Sequence, residues 1–255
     1  MSGYFNEFDK YRFEKRSKIS TMDSIIRNNT DLTDSEEDVL LRGYIVLIYA
    51  FWEGSYKKLA NSFFNFFKYR KINELPHTIK NQVIIELSTE KSDKNIKINE
   101  VNDYRKFLKI NEKININLEK KLLECEGYDK TEKYFKEETG NPNYSKLDIL
   151  LKKYCISLDK LISELISENN MPNNFKDVLE FIVSARNSIA HGDESRDMND
   201  GYKNYIVNKF LNNNEKGIID ASDFLRETVF YLNMLFITII DKFKDKYMHE
   251  EEKML

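Results

Sequence analysis

Three prolines and eight glycines are all that 255 residues offer to interrupt a helix. Sandwiches and barrels need a turn roughly every 10 residues, usually built on Gly or Pro. A chain this poor in both, and rich in Lys, Glu, Leu, Ile and Asn, is expected to fold as long helices. Apolar residues at 41% against 33% charged place it with globular rather than disordered chains. Its length is enough to bury a full core. Pro76, Pro142 and Pro172 each stand in a polar, turn-like context and divide the chain into helical blocks.

The first clear block opens at Thr33-Asp34-Ser35-Glu36, the spacing of a capping box, in which each end residue satisfies a free backbone N–H of the other. The helix is predicted to run to about Arg70, carrying Leu40, Tyr44, Leu47, Ile48, Phe51 and Ser55. From Tyr44 to Trp52 it is apolar on nearly every side, which suits a helix at a bundle centre or between subunits. Gly43 and Gly54 would let another helix approach closely, at a cost in helix propensity. Beyond it, Thr78–Leu87 and Leu118–Glu126 read as helices, the second closed by Gly127. Between them Asn95–Asn99 and Ile114–Asn117 alternate, compatible with a small hairpin. Residues 76–142 are therefore read as an inserted, mostly helical middle region. Helical periodicity returns over Lys146–Glu168, Asn174–His191 and about Asp220–Met248. The expected organisation is one domain over 1–255, with its bundle core near 33–70 and 146–248 and the insertion near 76–142.

The segment with chemical content is Phe181 to Gly192. At about 100° per residue, Phe175, Val178, Leu179, Ile182, Ala185 and Ile189 form one apolar stripe, and Arg186 falls about 45° from its centre. An arginine so placed needs a carboxylate or a wet cleft. Glu53, which interrupts the most apolar helix, is the expected partner. Glu180, Ser184, Asn187 and His191 form a polar seam on the opposite face. Ser184, Ser188 and Ala190 are short enough for a second helix to pack there. His191 sits in the last turn, where the helix dipole favours imidazolium. On the residues alone two plain roles stay open: Arg186 as a buried ion-pair member, and His191 as a helix-terminal cap.

Arg186-Asn187 followed by His191 and Gly192 resembles the Arg–polar–…–His motif of the HEPN superfamily, at its shortest spacing. Tyr49-Ala50-Phe51-Trp52-Glu53-Gly54-Ser55-Tyr56 is similar to the first long helix of a bacterial HEPN family found in defence and toxin–antitoxin settings. The resemblance covers Thr33–Arg70 and Asn174–Met248. It implies an all-α, HEPN-like antiparallel helical bundle and a homodimer in which two motif helices meet around one RNA phosphate. It further implies a metal-independent endoribonuclease without cofactor. His191 would act as base or acid, Arg186 would stabilise the developing phosphorane charge, and Asn187 would orient the imidazole or hold a phosphate oxygen. Glu53, Ser184 and Ser188 would support them. The expected partners are an RNA substrate, a second copy of the chain and a neutralising antitoxin or defence-system protein.

The remaining features narrow the field. A net charge of −3 excludes a strongly basic nucleic-acid binder, so any RNA contact is short and local. Cys125 and Cys155 lack metal-ligand spacing and read as idle reduced thiols. No signal core or membrane-length apolar run is found, so a soluble, cytoplasmic protein is expected. His77 and His249 read as surface residues, and Tyr104–Lys109 as an amphipathic face or an RNA-contacting strip. Phosphate loops, H-E-x-x-H and G-x-S-x-G are missing, which removes NTPases, zinc proteases and α/β-hydrolases. Two other functions stay open: a non-catalytic HEPN-like module that binds RNA or protein, and a plain helical scaffold.

Overall fold

The computed structural model describes residues 3–29, 31–88, 118–125, 128–136, 141–192, 201–211 and 217–248. Among these residues it is an all-α bundle: α1 (Asn6–Asn28), α2 (Asp34–Lys68), α3 (His77–Ser88), α4 (Tyr128–Lys136), α5 (Tyr144–Lys153), α6 (Leu158–Ser167), α7 (Phe175–His191), α8 (Gly201–Ile206) and α9 (Ile218–Tyr247). The expected hairpin segments, the Tyr104–Lys109 strip, Gly127 and His249 lie outside the described residues.

The longest helix is α2, and it is the axis of the fold. Its capping box is formed: Thr33 N–H donates to Glu36 Oε2 at 2.8 Å, and Glu36 N–H reaches Thr33 Oγ1 at 3.4 Å. Tyr44, Ile45, Ile48, Tyr49, Phe51 and Trp52 are all buried, as the all-round apolar run demands. Each such side chain contributes about 1.5–3 kcal/mol through loss of water contact. The far end of α2 meets α9 and the turn after α5 in a cluster of rings. Phe63 stacks on Phe243 with centroids 3.9 Å apart, and Phe67 lies parallel to Tyr154 at 6.2 Å.

The sequence reading left α1 out of the core, and the structure corrects this. The helix lies along α2, where Gly43 and Gly54 make room: a Cβ at Gly43 would come within 3.2 Å of Met22, and one at Gly54 within 1.9 Å of the Tyr11 hydroxyl. The Tyr11 hydroxyl donates to the Ala50 carbonyl at 2.5 Å. On its other side α1 meets α9, where Arg12 donates to Asn233 Oδ1 at 2.7 Å and Ser222 donates to Asp23 at 2.8 Å.

Two further boundaries differ from expectation. The predicted single helix over Lys146–Glu168 is broken between α5 and α6. Ile156 N–H bonds to Leu151 O at 3.0 Å and Cys155 N–H to Lys152 O at 2.9 Å, a Schellman closure with Cys155 left-handed at φ 53°. Residues of α9 hold the turn: Lys246 Nζ donates to Cys155 O at 2.6 Å and Tyr247 Oη to Tyr154 O at 2.7 Å. Cys155 is exposed while Cys125 is buried. The second difference is at Leu118–Glu126, where the described residues hold a 3-10 turn at Leu122–Glu124. This turn pairs with its counterpart at Ile72–Glu74 through Ile72 N–H to Lys120 O at 3.1 Å and Leu122 N–H to Arg70 O at 3.1 Å. The middle region is thereby tied to the end of α2. The short α8 and the π turn after it, Val207–Leu211, were also unanticipated.

Candidate functional site

Helix α7 is laid against α2 by the stripe read from the sequence: Phe175, Val178, Leu179, Ile182 and Ala185 are buried and Ile189 is half-buried. It ends at Gly192, whose φ of 67° is the left-handed closing conformation that glycine adopts without a Cβ penalty. The polar seam faces outward. Glu180, Ser184 and His191 are exposed, and Asn187 and Ser188 are half-buried.

Arg186 is half-buried and meets no carboxylate among the described residues. Its guanidinium carbon lies 4.7 Å from the centroid of the Tyr49 ring on α2, and its Nη1 donates to Asn187 Oδ1 at 3.1 Å. The expected Arg186–Glu53 ion pair does not form, because Glu53 is bound to Lys57 at 2.8 Å, one turn further along α2. The physical reason is that the electron-rich ring face and a neutral amide oxygen suffice for a cation still partly in water. Glu53 still acts on the same neighbourhood. Burial first, then the Glu53 charge, push the Tyr49 phenol above its usual range, and Arg186 opposes them. Tyr11 is raised to about 12 by burial and by Glu53. The Tyr49 hydroxyl is buried with no hydrogen-bond partner among the described residues.

Sequence reasoning missed a second element of the site. The Asn141-Pro142-Asn143 turn lies beside α7, and Asn141 Nδ2 donates to Asn187 Oδ1 at 3.2 Å. The turn is fixed at the two residues that follow Asn141. The buried Trp52 Nε1–H donates to the Pro142 carbonyl at 3.0 Å, and Asn143 caps α5 by accepting from Lys146 N–H at 3.0 Å. The residue string Gly140-Asn141-Pro142-Asn143 signals a turn, but nothing in it signals a contact with a helix 46 positions away.

Arg186, Asn187, Asn141 and Tyr49 are thus one connected cluster, while His191 stands apart from it. The imidazole is exposed in the last turn and makes no hydrogen bond to a described residue. Ser184 and Ser188 make none either, and Glu53 touches the cluster only through its charge. Chemically, α7 offers a cation on the flank that meets α2, a neutral amide beside it, and on the outer face an exposed imidazole bonded to no described residue. These groups can grip an anion and move a proton. Among the described residues, no three His, Cys, Asp or Glu side chains are grouped to hold a metal ion. No helix there is long and apolar enough to cross a membrane.

Comparison with known families matches the chain to a family described as RiboL-PSP-HEPN, whose model spans residues 10–210. The matched span runs from α1 through α7 to the turn after α8. No curated protein and no solved structure matches the chain.

Proposed function

The chain belongs to the RiboL-PSP-HEPN family, and from that premise we propose that it is an endoribonuclease whose active site is completed by a second copy of itself. The observation that carries this reading is the arrangement of side chains along α7. Arg186 and Asn187 are held in place on its flank, while His191, one turn after Asn187, is exposed and bonded to no described residue.

The chemistry is that of RNA cleaving itself. One His191 takes the proton of the 2′-hydroxyl, the O2′–P bond forms, and the P–O5′ bond breaks. A second imidazolium returns a proton to the departing O5′. The products are a 2′,3′-cyclic phosphate and a 5′-hydroxyl, with no net consumption of water in this step. Arg186 faces the negative charge that builds on the non-bridging oxygens, where a planar cation is most effective. Base and acid must sit on opposite sides of one phosphorus, and one chain supplies one such histidine. Arg186 and His191 project about 140° apart on α7. Two motif helices related by a two-fold axis meet both requirements. In this role the protein is a toxin or phage-defence effector, and a partner that covers the outer face of α7 restrains it.

The test is purified protein with single-stranded RNA, with and without EDTA, beside His191→Ala. Cleavage unaffected by EDTA and absent in His191→Ala is expected, with products that carry a cyclic phosphate. Because His191 is exposed, its truncation opens no cavity, so an unchanged melting temperature accompanies the loss. In cells, the wild-type gene should arrest growth and His191→Ala should not. Cleavage that survives His191→Ala, or that EDTA stops, overturns the assignment. RNA bound but left intact by the wild type would make the protein a binding module.

A further inference from the structure

We propose that Asn141, from the turn that ends the middle region, is a positioning residue of the α7 site: it fixes the Asn187 amide so that its NH2 group faces outward as a ready donor. This rests on the proposed ribonuclease reading for its meaning in catalysis, but its geometry stands on its own.

The argument begins with Arg186. A guanidinium has donors and no acceptor, so the Asn187 atom that faces it at 3.1 Å is the carbonyl Oδ1. The same Oδ1 faces Asn141 at 3.2 Å, so Asn141 presents its Nδ2 there. Both acceptor positions of Asn187 Oδ1 are then filled, and the orientation of two amides follows from one arginine. Two consequences follow. Asn187 Oδ1 is then not open to accept a hydrogen bond from the His191 ring N–H, so the expected role of orienting the imidazole in that way is closed to it. Its Nδ2, which donates to no described residue, is left to meet an acceptor such as a phosphate oxygen.

The anchor behind Asn141 is unusual in its rigidity. Pro142 has a fixed φ, and its carbonyl accepts from a tryptophan that is fully buried in α2. Tyr49, three residues before that tryptophan on the same helix, carries Arg186 on its ring face. Helix α2 therefore locates both donors to Asn187: Arg186 through Tyr49, and Asn141 through Trp52. The middle region contributes a residue to the site by this route.

The test uses the full chain as wild type, Asn141→Ala and Asn141→Asp, with two readouts. The first is nuclear magnetic resonance of the Asn187 side-chain amide, assigned by Asn187→Ala. In the wild type that NH2 group should show restricted motion, and in Asn141→Ala its motion should rise towards that of exposed asparagines. In Asn141→Asp the carboxylate draws Arg186 away, and the Asn187 resonances should shift further than in Asn141→Ala. The second readout is RNA cleavage. One neutral hydrogen bond lost from the support of a donor should lower kcat by about three- to tenfold with KM little changed. A merely structural role would lower the melting temperature and leave Asn187 motion and kcat of the folded fraction alone. Equal Asn187 mobility in wild type and Asn141→Ala overturns the proposal. Absence of cleavage by the wild type, with Asn187 restrained as described, overturns the ribonuclease reading and leaves the positioning intact.

Discussion

Gly54 offers a sharp test of how α1 is docked. In an ordinary helix interior, Gly→Ala stabilises by about 1 kcal/mol through backbone entropy. At Gly54 the added Cβ would stand 1.9 Å from the Tyr11 hydroxyl oxygen and 2.2 Å from its ring carbon Cζ. A ring is stiff, and its hydroxyl is bound to the Ala50 carbonyl at 2.5 Å, so it cannot simply swing aside. Displacing it forfeits a hydrogen bond worth about 1 kcal/mol net and adds an overpacking cost of about 1–3 kcal/mol. Against the propensity gain, Gly54→Ala should destabilise by about 1–3 kcal/mol. In a Tyr11→Ala background the obstruction is gone, and the same methyl should stabilise by about 1 kcal/mol. The sign of the effect therefore reverses between backgrounds. Urea titration of the four chains by far-ultraviolet circular dichroism, with the slope constant across the set, measures it. A Gly54→Ala substitution that raises the midpoint in both backgrounds would refute the packing described here.

Two other outcomes follow from the structure. Trp52→Phe strands the Pro142 carbonyl and leaves a gap at a fully buried position. It should cost about 2–3 kcal/mol and lower Tm by roughly 5–10 °C. Calorimetry that finds Tm unmoved would show that the turn is not anchored there. Tyr11 and Tyr128 are both held up to about 12, chiefly by burial. Raised folded values favour the protonated form in the native state, so this contribution is complete below the ordinary tyrosine value of 10.0 and is lost as pH rises towards about 12. Stability should hold up to about pH 10 and then fall, with phenolate absorbance appearing together with unfolding. Native-state phenolate at the ordinary value for every tyrosine would contradict it.

How far the fold could be read in the residues depended on what held each element. The buried run of α2 and its capping box depend on local sequence, and both were legible. Helix α1 was not, because few apolar side chains carry it: Phe8, Ile19 and Ile26 are its buried hydrophobic positions between Asn6 and Asn28. Its docking instead uses Tyr11, Arg12 and Asp23 as polar contacts, so hydrophobic periodicity had little to register. The evidence for it lay on the other partner. Gly43 and Gly54 are about three turns apart, hence on one face of α2, and both were read as marks of a close helix. The break at Cys155 was hidden for a related reason. Its left-handed backbone carries neither Gly nor Asn, and the carbonyls on either side are satisfied by Lys246 and Tyr247, some ninety positions away.

The candidate site divides along the same line. The stripe, the outward seam and the closing Gly192 are properties of one helix, and a wheel finds them. The partner of Arg186 is a property of what α7 packs against, and the wheel asked for a carboxylate or a wet cleft and named Glu53. It did not weigh the face of Tyr49, which lies one turn before Glu53 on the same helix and offers a cation attraction without burying a second charge. That choice has a chemical consequence. An arginine neutralised by Glu53 would meet an incoming phosphate as half of an ion pair, and the phosphate would have to displace the carboxylate. An arginine resting on a ring and a neutral amide keeps its full charge for the phosphate. Within the proposed reaction, binding of the anion then costs no broken salt bridge, and Glu53→Gln should leave cleavage nearly unchanged where Arg186→Ala removes it.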